Sequence, residues 1–178
     1  MKKIVSGFCF AVFLLSCNSN KTESTSTSTD TTAKKTMAEM PYTASYSSNF
    51  TQDVSDADLK TVLQSYKDWE NNNMPGLANA MGDTVSLDLS TGEHKKMSRA
   101  DLMKFWTTIR DSLSSVKIDM GAWLKMYEPT KKDQFVVTWY DETDTYKTGK
   151  VDSATYHDIN QVKDGKIVWF AQYKRPKK

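Results

Sequence analysis

The chain has 178 residues, with 24 Lys and Arg against 22 Asp and Glu and a formal net charge of +2. Both excess charges are Lys2 and Lys3, so everything from Asn18 onward is balanced, which excludes a nucleic-acid binder working through a broad basic surface. Cys9 and Cys17 are the two cysteines and both lie near the N-terminus, so no disulfide framework holds the rest of the chain.

Met1-Lys2-Lys3 followed by the apolar run Ile4 to Leu15 reads as the charged and hydrophobic regions of a signal peptide over residues 1–16. The run is too short to span a bilayer as a folded helix. Leu14-Leu15-Ser16-Cys17 resembles the lipobox of bacterial lipoproteins, with Leu15 departing from the usual smaller residue. That resemblance implies cleavage before Cys17, a palmitate-type lipid anchor on it, and a cell-envelope location, in the outer membrane or facing the periplasm. The alternative is an ordinary secretory signal cut elsewhere; either way the domain works outside the cytoplasm.

Residues 17–54 read as a lipidated, largely disordered tether. From Asn18 to about Met40 the chain is Ser, Thr, Lys and Asn, with the low-complexity run Ser24 to Thr29, and has too little apolar surface to offset ordering. About thirty such residues hold a domain on the order of 30 Å from an anchor by random-coil scaling. Tyr42, Tyr46 and Phe50 interrupt the pattern; they either dock onto the domain or begin its first element.

The stretch 55–178, roughly 120 residues, is enough for one core and not for two. Ser55 with Asp56 and Asp58 behind it predicts a helix start, and Leu59, Val62, Leu63, Tyr66 and Trp69 recur at helical spacing up to Glu70. Pro75 opens a second short helix that closes at Gly82-Asp83. Thr84 to Leu89 alternates as a strand and Ser90 to Met97 reads as a polar loop. Ser98 and Asp101 begin a third helix through Leu102, Phe105, Trp106, Ile109 and Leu113. Val116 to Tyr127, Gln134 to Tyr140, Ala154 to Val162 and Ile167 to Tyr173 then read as four strands in meander.

The last two strands are joined by Lys163-Asp164-Gly165-Lys166, and Asp-Gly is the signature of a two-residue type I′ hairpin turn. Counting outward from it puts Val162 opposite Ile167, Asn160 opposite Trp169, Asp158 opposite Ala171 and Tyr156 opposite Tyr173 on one face. The other face pairs Gln161 with Val168, Ile159 with Phe170 and His157 with Gln172. The basic tail Lys174, Arg175, Lys177, Lys178 reads as a solvated terminus.

Helices segregated to one face of a sheet make an α+β arrangement. In this order and spacing the chain resembles the nuclear transport factor 2-like superfamily, which includes ketosteroid isomerase, scytalone dehydratase and the SnoaL-like polyketide cyclases. The resemblance covers about Asp58 to Tyr173. It rests on Tyr66-Lys67-Asp68-Trp69, Asn73-Met74-Pro75-Gly76-Leu77, Gly82-Asp83-Thr84-Val85, Tyr156-His157-Asp158-Ile159 and Asp164-Gly165-Lys166-Ile167. It implies a cone-shaped fold with three N-terminal helices packed on a curved antiparallel sheet, around a pocket for a small, largely apolar ligand. Residue by residue, it puts Asp88 at the position of the isomerases' general base and His157 at that of the acid facing the developing oxyanion. Tyr66, Trp69, Trp106, Ile159, Phe170 and Gln172 would wall the pocket.

Each of these has a plainer reading: a core histidine at 157, a turn-forming Asp88, tryptophans that only pack. Whether the domain is an enzyme is therefore left open between a binding module, an isomerase, dehydratase or cyclase, and a structural assembly module. No metal or other cofactor is expected, since His94 and His157 are the only histidines and neither lies in a ligand-spaced cluster. Trp123, Tyr156, Trp169 and Tyr173 on the opposite sheet face exceed what a monomer leaves in water, and superfamily members commonly dimerise through that face, so a homodimer is expected; the same residues could instead receive the Tyr42 to Phe50 segment.

Overall fold

Helix α1 (Asp56–Glu70) begins where its cap does: the Ser55 hydroxyl accepts from the Asp58 amide at 3.0 Å in the computed structural model, which describes residues 40–177. It ends at Asn71 and the left-handed Asn72 (φ 56°). Buried Arg110 donates to the last carbonyls of α1, Trp69 (3.1 Å) and Glu70 (3.2 Å), giving orphan acceptors a charged partner. Asn73 caps α2 (Met74–Ala80) and also donates to buried Asp68 at 2.9 Å, so one side chain sets the angle between the two helices.

Strand β1 (Met81–Asp88) runs straight out of α2 and buries Val85 and Leu87. The stretch expected as a loop then contains a strand, β2 (His94–Ser98), paired antiparallel with β1 from Thr84 opposite Ser98 to Asp88 opposite His94. Its polar alternation hid it: β2 lies at the sheet edge, where His94, Lys96 and Ser98 face water and charge discourages further pairing. Helix α3 (Arg99–Asp111) follows, its Ser98 cap accepting from Asp101 at 3.1 Å.

Strands β3 (Leu113–Glu128), β4 (Asp133–Tyr146), β5 (Val151–Lys163) and β6 (Lys166–Pro176) form the meander, and the sheet order is β2-β1-β6-β5-β4-β3. One expectation is corrected here: the sheet is mixed and not wholly antiparallel, because β1 pairs with β6 in parallel. The helices are N-terminal only as a group, since α3 follows the first strand, as the order read from the sequence has it, and lies between β2 and β3. All three nonetheless cover one face. Val62, Leu77 and Leu102 from the helices meet Val85, Leu87, Val136, Ile167 and Phe170 from the sheet in the main core, and burial of each such side chain contributes about 1.5–3 kcal/mol.

The β5–β6 turn has Asp164 at φ 50° and Gly165 at φ 72°, the positive pair a type I′ turn requires. Beyond Val162 opposite Ile167, however, the register departs from simple counting. Gln161 pairs with Trp169, leaving Val168 as an extra residue in β6. A bulge inserts one residue into one strand and so reverses which side chains of that strand share a face with which partners. Asn160 therefore meets Phe170, Asp158 meets Gln172 and Tyr156 meets Lys174 on the helix side, while Ile159 meets Ala171 and His157 meets Tyr173 on the outer side.

The compact unit begins at Tyr42 and not at Ser55, and the docking alternative for the aromatic segment is the one realised. Thr51 and Tyr127 exchange backbone hydrogen bonds (2.9 and 2.8 Å), Val54 is in the core, and Tyr46 and Phe50 stack on each other and both meet Phe135 edge-on at 6.4 Å. Phe135 in turn meets Trp169. Tyr46 is held by a hydrogen bond to Asp133 and by Lys131 Nζ, 3.6 Å from its ring centroid. Cys17 and the signal segment lie outside the described residues.

Candidate functional site

Between α1, α3 and the inner face of the sheet lies a cavity of about 400 Å³. The helices supply Tyr66 and Trp69 from α1 and Phe105 and Trp106 from α3, and the sheet supplies a grid of inward residues, two apart along each strand. On β4 these are Tyr140, Glu142 and Asp144; on β5 Tyr156, Asp158 and Asn160; on β6 Phe170, Gln172 and Lys174. The walls are largely aromatic. Trp106 and Phe170 are 5.8 Å apart, Tyr66 and Tyr140 5.0 Å, and Tyr140 and Tyr156 stack at 5.2 Å.

Asp158 sits at the centre of a buried polar network. Its Oδ2 accepts from Tyr66 Oη at 3.0 Å and from Tyr140 Oη at 2.9 Å. Tyr66 Oη also lies 2.8 Å from Thr138 Oγ1 and accepts from Asn160 Nδ2 at 3.1 Å. The other oxygen, Oδ1, is buried with no hydrogen-bond partner among the described residues. Burial drives the Asp158 carboxyl up to about 7, against the Tyr140 and Tyr66 phenols and the nearby Gln172 amide that hold it down. Both phenols are pushed well above 10 by burial and then by the neighbouring Asp158 charge, so they remain donors.

Two further carboxyls share the cavity. Glu142 is raised to about 8 by burial and by the charges of Asp144 and Asp158. Asp144 is raised by burial, and its Oδ1 is a second buried acceptor with no partner among the described residues. With Asp158 near 7 and Glu142 near 8, the cavity holds carboxyl groups able to give or take a proton close to neutral pH.

The structure puts Tyr66, Trp69, Trp106, Phe170 and Gln172 on the cavity and leaves Ile159 off it, because Ile159 alternates with inward Asp158 and Asn160 on β5 and the bulge in β6 brings Phe170 and Gln172 to their face instead. His157 is also on the outer face, stacked on Trp139 at 4.8 Å and beside Tyr173 at 5.8 Å. Asp88 is outward too, since Leu87 takes the buried side of β1; it accepts from Trp169 Nε1 at 2.8 Å and pairs with His94 Nδ1 at 2.6 Å. These contacts, the His94 and Trp169 hydrogen bonds first, hold the Asp88 carboxyl below its ordinary value. Asp88 and His157 therefore do not face each other across the cavity.

Among the residues expected on the aromatic outer face, Trp169 and Tyr173 lie there. Tyr156 is buried against Tyr140, and Trp123, opposite Thr138, shares the helix-side face near the sheet edge. The basic tail is likewise not free. Lys174 and Arg175 belong to β6, Lys174 lines the cavity, and Lys177 pairs with Asp141.

Sequence reasoning missed Asp158, Tyr140, Glu142 and Asp144. Asp158 shares its parity with Tyr156 and Asn160, so only the unseen bulge separated it from the cavity. Glu142 and Asp144 belong to a half of β4 that reads as a polar loop, Asp141 to Tyr146.

No family model matches the sequence, and no curated protein matches it significantly. Solved structures do match. An NTF2-like protein of unknown function from Burkholderia pseudomallei superposes with TM-score 0.56 at 14% identity, over 68% of this chain and 92% of that one. An LEH-like epoxide hydrolase from M. tuberculosis gives 0.56 at 10% identity, over 67% and 83%. IdmH, a putative polyketide cyclase from Streptomyces antibioticus, gives 0.53 at 14% identity, over 66% and 91%. At such identities the likeness establishes architecture and not chemistry: the domain has the nuclear transport factor 2-like fold.

Proposed function

We propose that the domain binds a small, largely apolar molecule in the cavity between its helices and sheet, with a polar end placed at Asp158. The observation that carries this reading is the 400 Å³ space itself, walled by aromatic side chains and floored by a buried carboxyl oxygen that no described residue satisfies. A ligand hydrogen bond would satisfy that oxygen. The test is native mass spectrometry of the intact chain purified from its host. A retained small mass that is lost in Asp158→Asn supports the reading, and a chain that never holds one in either form argues against it.

A second reading has an observation of its own. Asp158, held near neutrality and fixed by two phenols, is suited to act as a general acid or base, and an epoxide hydrolase and a cyclase share the fold. Turnover of the retained compound by the wild type, abolished in Asp158→Asn with binding intact, would select the enzyme.

For the setting we propose export and lipid anchoring at Cys17, supported by the N-terminal sequence alone, and a homodimer. The dimer is supported by Trp139 and Tyr173, 38% and 59% exposed on the outer face. Globomycin-type inhibition of lipoprotein processing tests the first, and the subunit number in the same mass spectrum tests the second.

A further inference from the structure

The ionisable side chains of the cavity are predominantly carboxyls. Four carboxyl groups line it, Glu93 at the rim and Glu142, Asp144 and Asp158 within, against the single amine of Lys174. That amine is already engaged: Lys174 Nζ bonds Asp152 Oδ2 at 3.2 Å and lies over the Tyr156 ring. Arg110, the nearest guanidinium, is turned away to the carbonyls of Trp69, Glu70 and Leu113. Two of the carboxyls, Asp144 and Asp158, each keep a buried oxygen with no partner among the described residues, and Asp158 is 97% buried. A buried acceptor without a donor is expensive, and an occupant carrying N–H donors would supply what these two oxygens lack.

We propose that the occupant is a small organic cation, an amine carried on an apolar or aromatic body, whose charged end sits among Glu142, Asp144 and Asp158. The walls suit such a body and also its charge, since aromatic faces attract cations; Tyr66, Trp69, Tyr140 and Tyr156 surround the acidic patch. A bare metal ion fits less well, because no group of three or more described carboxylates or histidines is arranged to ligate one. This inference rests on the cavity being a binding site and adds the class of ligand.

The titratable and charged groups facing the three carboxyls are Tyr66 from α1, Arg110 from α3, Tyr140 and Tyr146 from β4, Asp152 and Tyr156 from β5, Lys174 from β6 and Glu93 before β2. Without the cation the carboxyls retain protons by burial. Bound, they give those protons up. Affinity for the cation should therefore rise as the pH increases through 7 and 8.

The experiment uses the intact chain and three probes with a common phenyl body: 2-phenylethylammonium, 3-phenylpropanamide and 3-phenylpropanoate, each titrated calorimetrically from pH 6 to 8.5. We expect the ammonium to bind at least tenfold more tightly than the amide at pH 8, and the propanoate more weakly still. Glu142→Gln with Asp144→Asn should cut the ammonium affinity at least tenfold and leave the amide unchanged. An amide equal to the ammonium, or a propanoate that binds best, overturns the cation and leaves the binding site standing. Binding of none of the three at millimolar concentration overturns both.

Discussion

Replacing Asp158 by Asn should change the pH dependence of stability in a direction the structure fixes. The Asp158 carboxyl is raised from 3.8 to about 7 in the folded chain. Between those values the folded state keeps a proton that the unfolded chain has lost, so unfolding releases it. Stability then falls by about 1.4 kcal/mol per pH unit. Over about three units the loss is on the order of 4 kcal/mol; it is absent below the unfolded value and complete above the folded one. Asn cannot ionise, yet its carbonyl oxygen can still accept from Tyr66 and Tyr140. Urea unfolding of both proteins at intervals from pH 4 to 8.5, taken as the difference between them, cancels the groups that do not feel the Asp158 charge; Glu142, which does, adds a smaller change of its own toward pH 8. The variant should gain on the wild type by about 4 kcal/mol across that range, over a constant cost of about 1–3 kcal/mol for a buried amide group facing no acceptor. A difference that does not vary with pH would show that Asp158 titrates as an ordinary carboxylate and would refute the reasoning.

Tyr140→Phe removes a hydrogen bond to Asp158 and should cost about 1.5–3 kcal/mol above pH 7, where the acceptor is charged, and less below it, as read by the same denaturation series. Gly165→Ala places a Cβ at φ 72° in the β5–β6 turn and should lower stability by about 1 kcal/mol without altering ligand binding. Phe50→Ala strips the outer strap of its contact with Phe135 and should speed proteolytic cutting after Tyr42 and Tyr46 while leaving the remaining domain folded, as limited chymotrypsin digestion would show. Asp88→Asn and His157→Ala, both on the outer face, should leave probe affinity in the cavity within twofold of the wild type; a tenfold loss in either would contradict the face assignment.

Much of the architecture is legible from local chemistry. Ser55 and Ser98 mark helix starts because a hydroxyl there accepts from an amide two or three residues on, and Asp164-Gly165 marks a turn because few residues tolerate two consecutive positive φ values. The cavity floor was not legible in the same way. Period-two counting is reliable only while strands stay in step, and Val168, an unremarkable β-branched residue in an apolar strand, carries no local sign that it is surplus. That single residue puts Phe170, Gln172 and Lys174, where counting expects Trp169, Ala171 and Tyr173, on the face of β5 that carries Tyr156 and Asp158. Glu142 and Asp144 escaped for the opposite reason: buried carboxyls resemble loop residues in sequence, and only a site that tolerates them at a cost in stability explains their position inside.

The surplus residue at 168 also divides the hairpin into two sections with separate tasks. Between the bulge and the turn, Val162 and Ile167 belong to the core, with Ile167 also reaching the cavity; past it, Tyr156, Asp158 and Asn160 on β5 and Phe170, Gln172 and Lys174 on β6 face the cavity. Shortening β6 by one residue at that point would straighten the strand and keep its pairing, since Gln161 already meets Trp169 and Asn160 already meets Phe170. What the extra residue supplies is local: it lets Ile167 and Phe170, three positions apart, both point inward, where strict alternation would admit only one of them.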